Sequence, residues 1–138
     1  MIIVDTGFFV ALGSRGDNFH RQAVEVLNSI QDCLITTYPV ITETSYLLMQ
    51  RQEIQAQHCF IRNVIQGGVQ VFSLDRNHLA RMLDLMVRYA DLPMDLADAS
   101  LVVLAEQLQE GRILTTDRRD FSIYRWNNTQ YFINLLES

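Results

Sequence analysis

The sequence predicts an α/β domain with a parallel β-sheet, on three observations. Short apolar runs alternate along the chain with longer stretches whose apolar residues recur at helical spacing. No internal repeat, low-complexity segment or Pro/Gly-rich linker interrupts that alternation. The 138 residues fit one domain. A chain of that size buries roughly 68–70% of the surface it exposes when unfolded, enough for a core without covalent staples.

Each element follows from local signals. Ile2-Ile3-Val4 is the first strand, leading through Asp5-Thr6 into an apolar helical stretch from Phe8 to Leu12. The loop Gly13-Ser14-Arg15-Gly16 reaches Asp17, placed to cap a helix carrying Ala23, Val24, Leu27 and Ile30 on one face. Leu34-Ile35-Thr36 reads as the second strand. Pro39 fits the first turn of the next helix, where its missing N–H costs nothing, and Val40, Leu47 and Leu48 continue it. A further helix runs from about Glu53 to Gln66 and stops at Gly67-Gly68; Val69 to Phe72 is the third strand. From Arg76 to Tyr89, the residues Leu79, Met82, Leu83, Met86 and Val87 fall at helical spacing and are expected in the core. Pro93 interrupts that helix. Asp95 opens the next, with Leu101, Val102, Leu104, Ala105 and Leu108 as its buried face and Gly111 at its end. Arg112 to Thr115 is the fourth strand, terminating at Asp117, and Tyr131-Phe132-Ile133 adds a short fifth.

Composition narrows the setting. Cys33 and Cys59 have no metal-ligand spacing and lie in apolar or helical contexts, so they are expected to be reduced interior residues. Asp5 comes too early for a signal peptide, and no apolar run approaches the ~20 residues needed to cross a bilayer, so a cytoplasmic protein with no membrane role is expected. The net charge of −5 argues against a broad basic surface for nucleic acid. Setting four clustered acids aside leaves the remainder close to neutral. All eleven basic residues are arginines, a compositional bias that also favours planar recognition of phosphate.

The chemistry lies in those acids. In an open α/β sheet, ligands bind beyond the carboxyl ends of the strands. Asp5 follows the first strand directly and Asp117 follows the fourth almost directly; if those strands are neighbours, their carboxylates meet. Asp98 lies in the first turn of the helix feeding strand four, and Glu43 near the start of the helix after strand two, so both reach the same mouth. Two like charges about 4 Å apart repel by roughly 4 kcal/mol at an effective dielectric of 20, so such a cluster needs protons or a cation. Hard oxygen ligands select Mg²⁺ or Mn²⁺, and a phosphodiester is the natural substrate of that arrangement. Asp95 and Asp120 are supporting candidates; Asp95 also fits a helix cap, and Asp120 a turn. Glu43 on its own also reads as a surface residue near a helix start.

Val4-Asp5-Thr6, Glu43, Asp98-Ala99-Ser100-Leu101 and Leu114-Thr115-Thr116-Asp117-Arg118-Arg119-Asp120-Phe121 together resemble the PIN domains, and particularly the VapC-like toxins. The resemblance covers nearly the whole chain. It implies a single domain over residues 1–138, a three-layer αβα sandwich whose parallel sheet has about five strands ordered 3-2-1-4-5. It implies Mg²⁺ or Mn²⁺ bound mainly by Asp5 and Asp98, with Glu43 and Asp117 completing the catalytic set, and Thr6 and Thr115 orienting carboxylates or waters. The activity implied is endoribonuclease, with an RNA substrate, an antitoxin partner that covers the acidic pocket, and a homodimer. Gly7 departs from relatives that carry serine or asparagine there.

Other residues have plainer readings. His20, His58 and His78 share no helical face and read as surface or packing residues. Tyr124, Trp126, Tyr131 and Phe132 suit base stacking or packing of the C-terminal strand. Arg118, Arg119 and Arg125 are RNA-binding candidates or a solvated turn. Two other functions compete with nuclease. A catalytically weak binding module of the same fold gains nothing from clustered acids facing phosphate. A receiver-type phosphotransfer domain expects an early acidic pair and a late lysine, and the chain has neither.

Overall fold

The computed structural model describes residues 1–136. In chain order the elements are β1 (Ile2–Val4), α1 (Thr6–Gly13), α2 (His20–Ser29), β2 (Leu34–Thr37) and α3 (Tyr38–Gln50). There follow α4 (Ile54–Ile65), β3 (Gln70–Phe72), α5 (Arg76–Arg88), α6 (Leu96–Leu108) and β4 (Arg112–Leu114). The chain ends with α7 (Arg118–Ile123), β5 (Arg125–Trp126), β6 (Gln130–Tyr131) and β7 (Ile133–Asn134). A five-stranded sheet ordered β3-β2-β1-β4-β7, parallel throughout, forms the middle of an αβα sandwich. Helix α1 packs on α2, α3 and α4; α6 lies against β1 and β2 with α5 beside it.

Central parallel strands are covered on both faces, so they read as unbroken apolar runs. Ile2, Ile3 and Val4 of β1 and Ile113 and Leu114 of β4 are buried accordingly. Helix α6 is buried nearly all round, from Ala99 to Ala105, which explains an apolar content beyond one amphipathic stripe. Each large side chain so enclosed contributes about 1.5–3 kcal/mol. Pro39 sits in the first turn of α3, as its chemistry predicts.

The strand order matches the expectation, with one change at the C-terminus. The fifth strand of the main sheet is Ile133–Asn134, and Tyr131 instead pairs with Arg125 in a separate antiparallel hairpin, β5–β6. Asn127 and Asn128 turn that hairpin at φ 49° and 64°, the left-handed region that asparagine tolerates best among residues with a side chain.

Five other expectations need correction. Asp17 does not cap α2. Its Oδ1 accepts the Phe19 N–H at 2.8 Å within a turn, and Phe19 occupies the cap position without a side-chain bond. The inward face of α2 is Ala23, Val26, Leu27 and Ile30, with Val26 in place of Val24. On α5, Met82 and Leu85 are buried and Met86 packs on the core, but Leu79, Leu83 and Val87 are 53%, 61% and 69% exposed. They form a second, outward apolar stripe that periodicity alone cannot separate from the inner one. Cys33 and Cys59 are free, as expected, but exposed rather than interior. Helix α6 ends at Gln109, which adopts the left-handed conformation (φ 53°) two residues before Gly111.

Candidate active site

Pairing of β1 with β4 sets the residues leaving their carboxyl ends side by side. The Asp5 N–H donates to the Leu114 carbonyl at 3.0 Å, extending the ladder past the last strand residue. Asp5 caps α1: its Oδ1 accepts the Thr6 N–H at 2.7 Å, and its Oδ2 accepts the Thr115 hydroxyl at 2.7 Å. Thr115 Oγ1 also accepts the Asp117 N–H at 2.9 Å, and Asp117 Oδ1 accepts the Asp120 N–H at 3.0 Å to start α7. Asn134, on β7, grips the Thr115 backbone from behind, donating to its carbonyl at 3.0 Å and accepting its N–H at 3.3 Å. One continuous hydrogen-bonded chain therefore runs from Asp5 through Thr115 to Asp117 and Asp120.

Asp98 enters from α6. Asp95 caps that helix by accepting the Asp98 N–H at 2.8 Å, and the Tyr124 hydroxyl donates to Asp98 Oδ2 at 2.8 Å. Tyr124 is fully buried, edge-packed between Tyr89 and Phe121. The third wall is α3 with its C-cap, where Glu43, Leu47 and the capping Arg51 repeat every fourth residue and so face one way. Together these elements enclose a cleft of about 340 Å³ whose lining includes seven acids, Asp5, Asp17, Glu43, Asp95, Asp98, Asp117 and Asp120, against one base, Arg51.

Burial and crowding act on these acids in the same direction. Asp5 is raised to about 7, first because it is buried and then because Glu43 and Asp117 lie near; the Thr115 and Thr6 hydrogen bonds oppose the rise. Asp98 is raised to about 8 by burial and by the charges of Asp5 and Asp95, against the Tyr124 hydrogen bond. Burial also lifts Glu43 and Asp117, with Asp95 adding to both and Asp120 to Asp117. The Tyr124 phenol is pushed up by burial and by Asp98, so it stays a donor.

Such a cleft favours a cation. Oxygens of Asp98, Asp117 and Asp120 lie within 4.8 Å of one another, the one group of three possible ligands that close among the described residues. Thr6 Oγ1 is buried with no protein hydrogen-bond partner among the described residues; it lies near enough to Glu43 to ease that carboxylate's charge, though outside hydrogen-bond geometry. An all-oxygen donor set with an unspent hydroxyl beside it fits a hard divalent ion that keeps waters.

The cleft thus gathers every acid singled out in the sequence, including Asp95 and Asp120. Arg118 and Arg119 are exposed on α7 and do not line it. Arg125 is already committed, since its Nη1 donates to the carbonyls of Ser122, Ile123 and Tyr124 while its guanidinium covers the Tyr131 ring at 3.8 Å. His20 bonds the Ala11 carbonyl, and His78 completes a capping box with Asp75. A Cβ at Gly7 falls 2.0 Å from Thr116 Oγ1, so the threonine occupies the space a larger residue 7 needs. Sequence reasoning missed Tyr124 as a partner of Asp98, Asn134 as the brace of Thr115, and Arg51 as a wall of the cleft. Only Arg51 left a signal, its helical spacing from Glu43.

A parallel sheet with acids converging beyond its carboxyl ends defines an α/β domain built around a polyacidic cleft. A family model described as PIN domain matches residues 2–127, and the chain belongs to the PIN domain family. It is 28% identical over 124 residues to Ribonuclease VapC26 of Mycobacterium tuberculosis (strain ATCC 25618 / H37Rv), covering 90% of this chain and 92% of that protein. Its fold matches that of M. tuberculosis VapC20, a Sarcin-Ricin loop cleaving toxin, at a TM-score of 0.76 and 23% identity, over 82% of this chain and 87% of that one. A toxin-antitoxin complex from Klebsiella pneumoniae matches at a TM-score of 0.64 and 16% identity, over 88% of this chain and 91% of that one.

Proposed function

We propose that this protein, as a single PIN domain over residues 1–138, is a metal-dependent endoribonuclease that hydrolyses RNA phosphodiester bonds as the toxin of a toxin–antitoxin pair. The observation that carries the reading is the convergence of Asp5, Glu43, Asp98 and Asp117, from four separate elements, on one cleft. A surface meant only to bind RNA has no use for such a concentration of negative charge. Similarity to a named ribonuclease over nine-tenths of the chain supports the same activity.

In this reading Asp98, Asp117 and Asp120, with Asp5 alongside, hold Mg²⁺ or Mn²⁺. When bound, the ion neutralises the scissile phosphate and acidifies a water. The protein's own part is positioning. Thr115 and the Thr6 amide fix both oxygens of Asp5, Tyr124 fixes one oxygen of Asp98, and Asp95 anchors the helix that presents it. Glu43, raised by burial, is suited to take a proton from an attacking water and hold it. The Thr6 hydroxyl is free to orient that water. Arg118 and Arg119, exposed on α7 directly after Asp117, meet RNA phosphates.

The partners follow from the same reading: an antitoxin that covers the cleft, and a second copy of the chain. Among the described residues no helix is long and apolar enough to cross a membrane, which is compatible with work on cytoplasmic RNA.

The test is cleavage of a panel of structured RNAs by purified protein with Mg²⁺ or Mn²⁺, with EDTA, and with Asp5→Asn and Asp98→Asn variants. Metal-dependent cutting that both variants abolish is expected. Wild-type cutting no greater than that of the variants, with RNA or partner binding intact, makes the domain a non-catalytic binding module.

A further inference from the structure

The acidic cleft presents a problem to its own proposed substrate. RNA approaches as a polyanion, and seven of the eight charged residues lining the cleft are acids. A metal ion offsets repulsion at the scissile phosphate but not at its neighbours. Something else must receive those.

Two guanidinium groups meet one short turn at the cleft's edge. Arg51 follows the last residue of α3, and its Nη1 donates to Asp17 Oδ2 at 2.9 Å. That is the only side-chain hydrogen bond Arg51 makes among the described residues, leaving Nε and Nη2 without a protein partner. Arg118 opens α7, next to Asp117, and its guanidinium lies over the Phe19 ring, 5.7 Å from the centroid. Asp17 and Phe19 belong to one turn, closed by the Asp17 Oδ1 bond to the Phe19 N–H at 2.8 Å. Asp17 and Arg51 line the cleft themselves.

We infer that the Asp17–Phe19 turn is an organiser that holds Arg51 and Arg118 as a phosphate-binding rim for the RNA strand flanking the scissile bond. The inference rests on the ribonuclease reading and extends it to substrate binding. Arginine suits the role because its planar fork keeps donors for phosphate oxygens while one edge stays anchored. Asp17 and Phe19 act as positioning residues, one by charge and one by ring contact. A simple ion pair does not account for the arrangement, since a half-exposed Arg–Asp pair stabilises a fold by only about 0–1 kcal/mol. Nor does it explain why the same turn holds a second arginine by its ring.

The experiment measures binding of a short fluorescein-labelled single-stranded RNA to the full chain by anisotropy, across a KCl series with Mg²⁺. The Asp5→Asn background keeps the strand intact. Arg51→Gln is expected to weaken binding roughly tenfold and to make the slope of log K against log salt shallower by about 0.7, the value for one single-strand phosphate contact. Arg118→Gln, on an exposed side chain, lowers the slope by a similar amount and keeps the test open if Arg51→Gln folds poorly. Asp17→Asn leaves both cations in place, so it weakens affinity while the slope holds.

Unchanged slopes in both arginine variants, with melting lowered equally by Arg51→Gln and Asp17→Asn, overturn the rim and leave a structural ion pair. Absence of RNA binding in the background and in wild type overturns it as well. If wild type fails to cut RNA with any metal while the slopes respond, the nuclease reading fails and the rim stands. If wild type cuts and the slopes are flat across variants, the rim alone is wrong.

Discussion

Two walls of the cleft are built differently. On the sheet side, Asp5, Thr115, Asp117 and Asp120 form one hydrogen-bonded chain, braced from behind by Asn134, and each link is set by a strand end or a helix cap. On the α3 side, no amide or hydroxyl is in hydrogen-bond geometry with Glu43 among the described residues, and Arg51 is tied down by a single bond to Asp17. The contrast separates two requirements that one site has to meet. Groups that define the geometry of a metal and a reacting phosphate must not move, because small misplacements are expensive in rate. Groups that meet a long, flexible strand must adjust to it. The rigid wall is made where the backbone itself imposes the geometry, and the adaptable wall is made from side chains of one helix face.

The largest effect expected from breaking the rigid wall is on turnover. Asp5→Asn or Asp98→Asn is expected to reduce RNA cleavage at least ~1000-fold, the scale seen when a group acting on the transition state is removed. Above about pH 8 in EDTA, where both carboxyls are ionised, the same variants should melt higher than wild type, because a buried charge is replaced by a neutral group of similar shape. Loss of cleavage accompanied by lower melting makes these residues structural. Next is Thr115→Val, which cuts the Asp5–Asp117 link without touching an acid. Metal affinity, followed by Mn²⁺ titration calorimetry, is expected to fall about 10- to 100-fold, as for other groups that orient ligands. An unchanged titration means the strand ends alone hold the carboxylates in place. Tyr124→Phe removes one hydrogen bond from Asp98 and is expected to lie at the lower end of that range, about tenfold.

The rigid wall was largely legible in the sequence and the adaptable wall was not. A carboxylate ending a buried apolar strand, as at Asp5, is visible from polarity alone, and so is Asp117 three residues after Leu114. The topology then brings them together, because parallel neighbours end at the same edge. Asp98 stood out as a charge inside an apolar helix start. Tyr124 did not, since its hydroxyl reaches Asp98 across twenty-six residues and its ring reads as ordinary core. Asn134 was hidden for a related reason: the last strand begins two residues later than the aromatic run suggested, after a hairpin signalled only by Asn127-Asn128. The outward stripe on α5 escaped because periodicity reports a helix, not which side of it is covered.

Proton binding tests the buried acids further. Asp5 near 7 and Asp98 near 8 keep protons in the folded, metal-free protein that the unfolded chain has already released above about pH 4. Between about pH 4 and pH 8 the native state therefore binds more protons than the unfolded state, and stability declines as pH rises through that window. In EDTA the melting midpoint is expected to drop by several degrees from about pH 5 to about pH 8, and saturating Mg²⁺ should flatten the profile. A midpoint that rises with pH in EDTA contradicts the buried, crowded carboxylates on which the rigid wall depends.

The smallest effect belongs to Glu43, and it should have the opposite sign to that of Thr115. Burial and the neighbouring Asp95 raise its carboxyl, and the nearby Thr6 hydroxyl offsets only part of that rise, so its charge opposes folding in the metal-free state. The side chain is only partly buried, and the water that reaches it screens part of that cost. Glu43→Gln is therefore expected to stabilise the EDTA-treated protein by less than about 1 kcal/mol, whereas Thr115→Val, which leaves buried polar groups unpaired, costs about 1–3 kcal/mol. Urea titrations of both variants in EDTA read the two values directly. If Glu43→Gln is as destabilising as Thr115→Val, the α3 wall is braced like the sheet wall, and the adjustment to a flexible strand must come from elsewhere in the cleft.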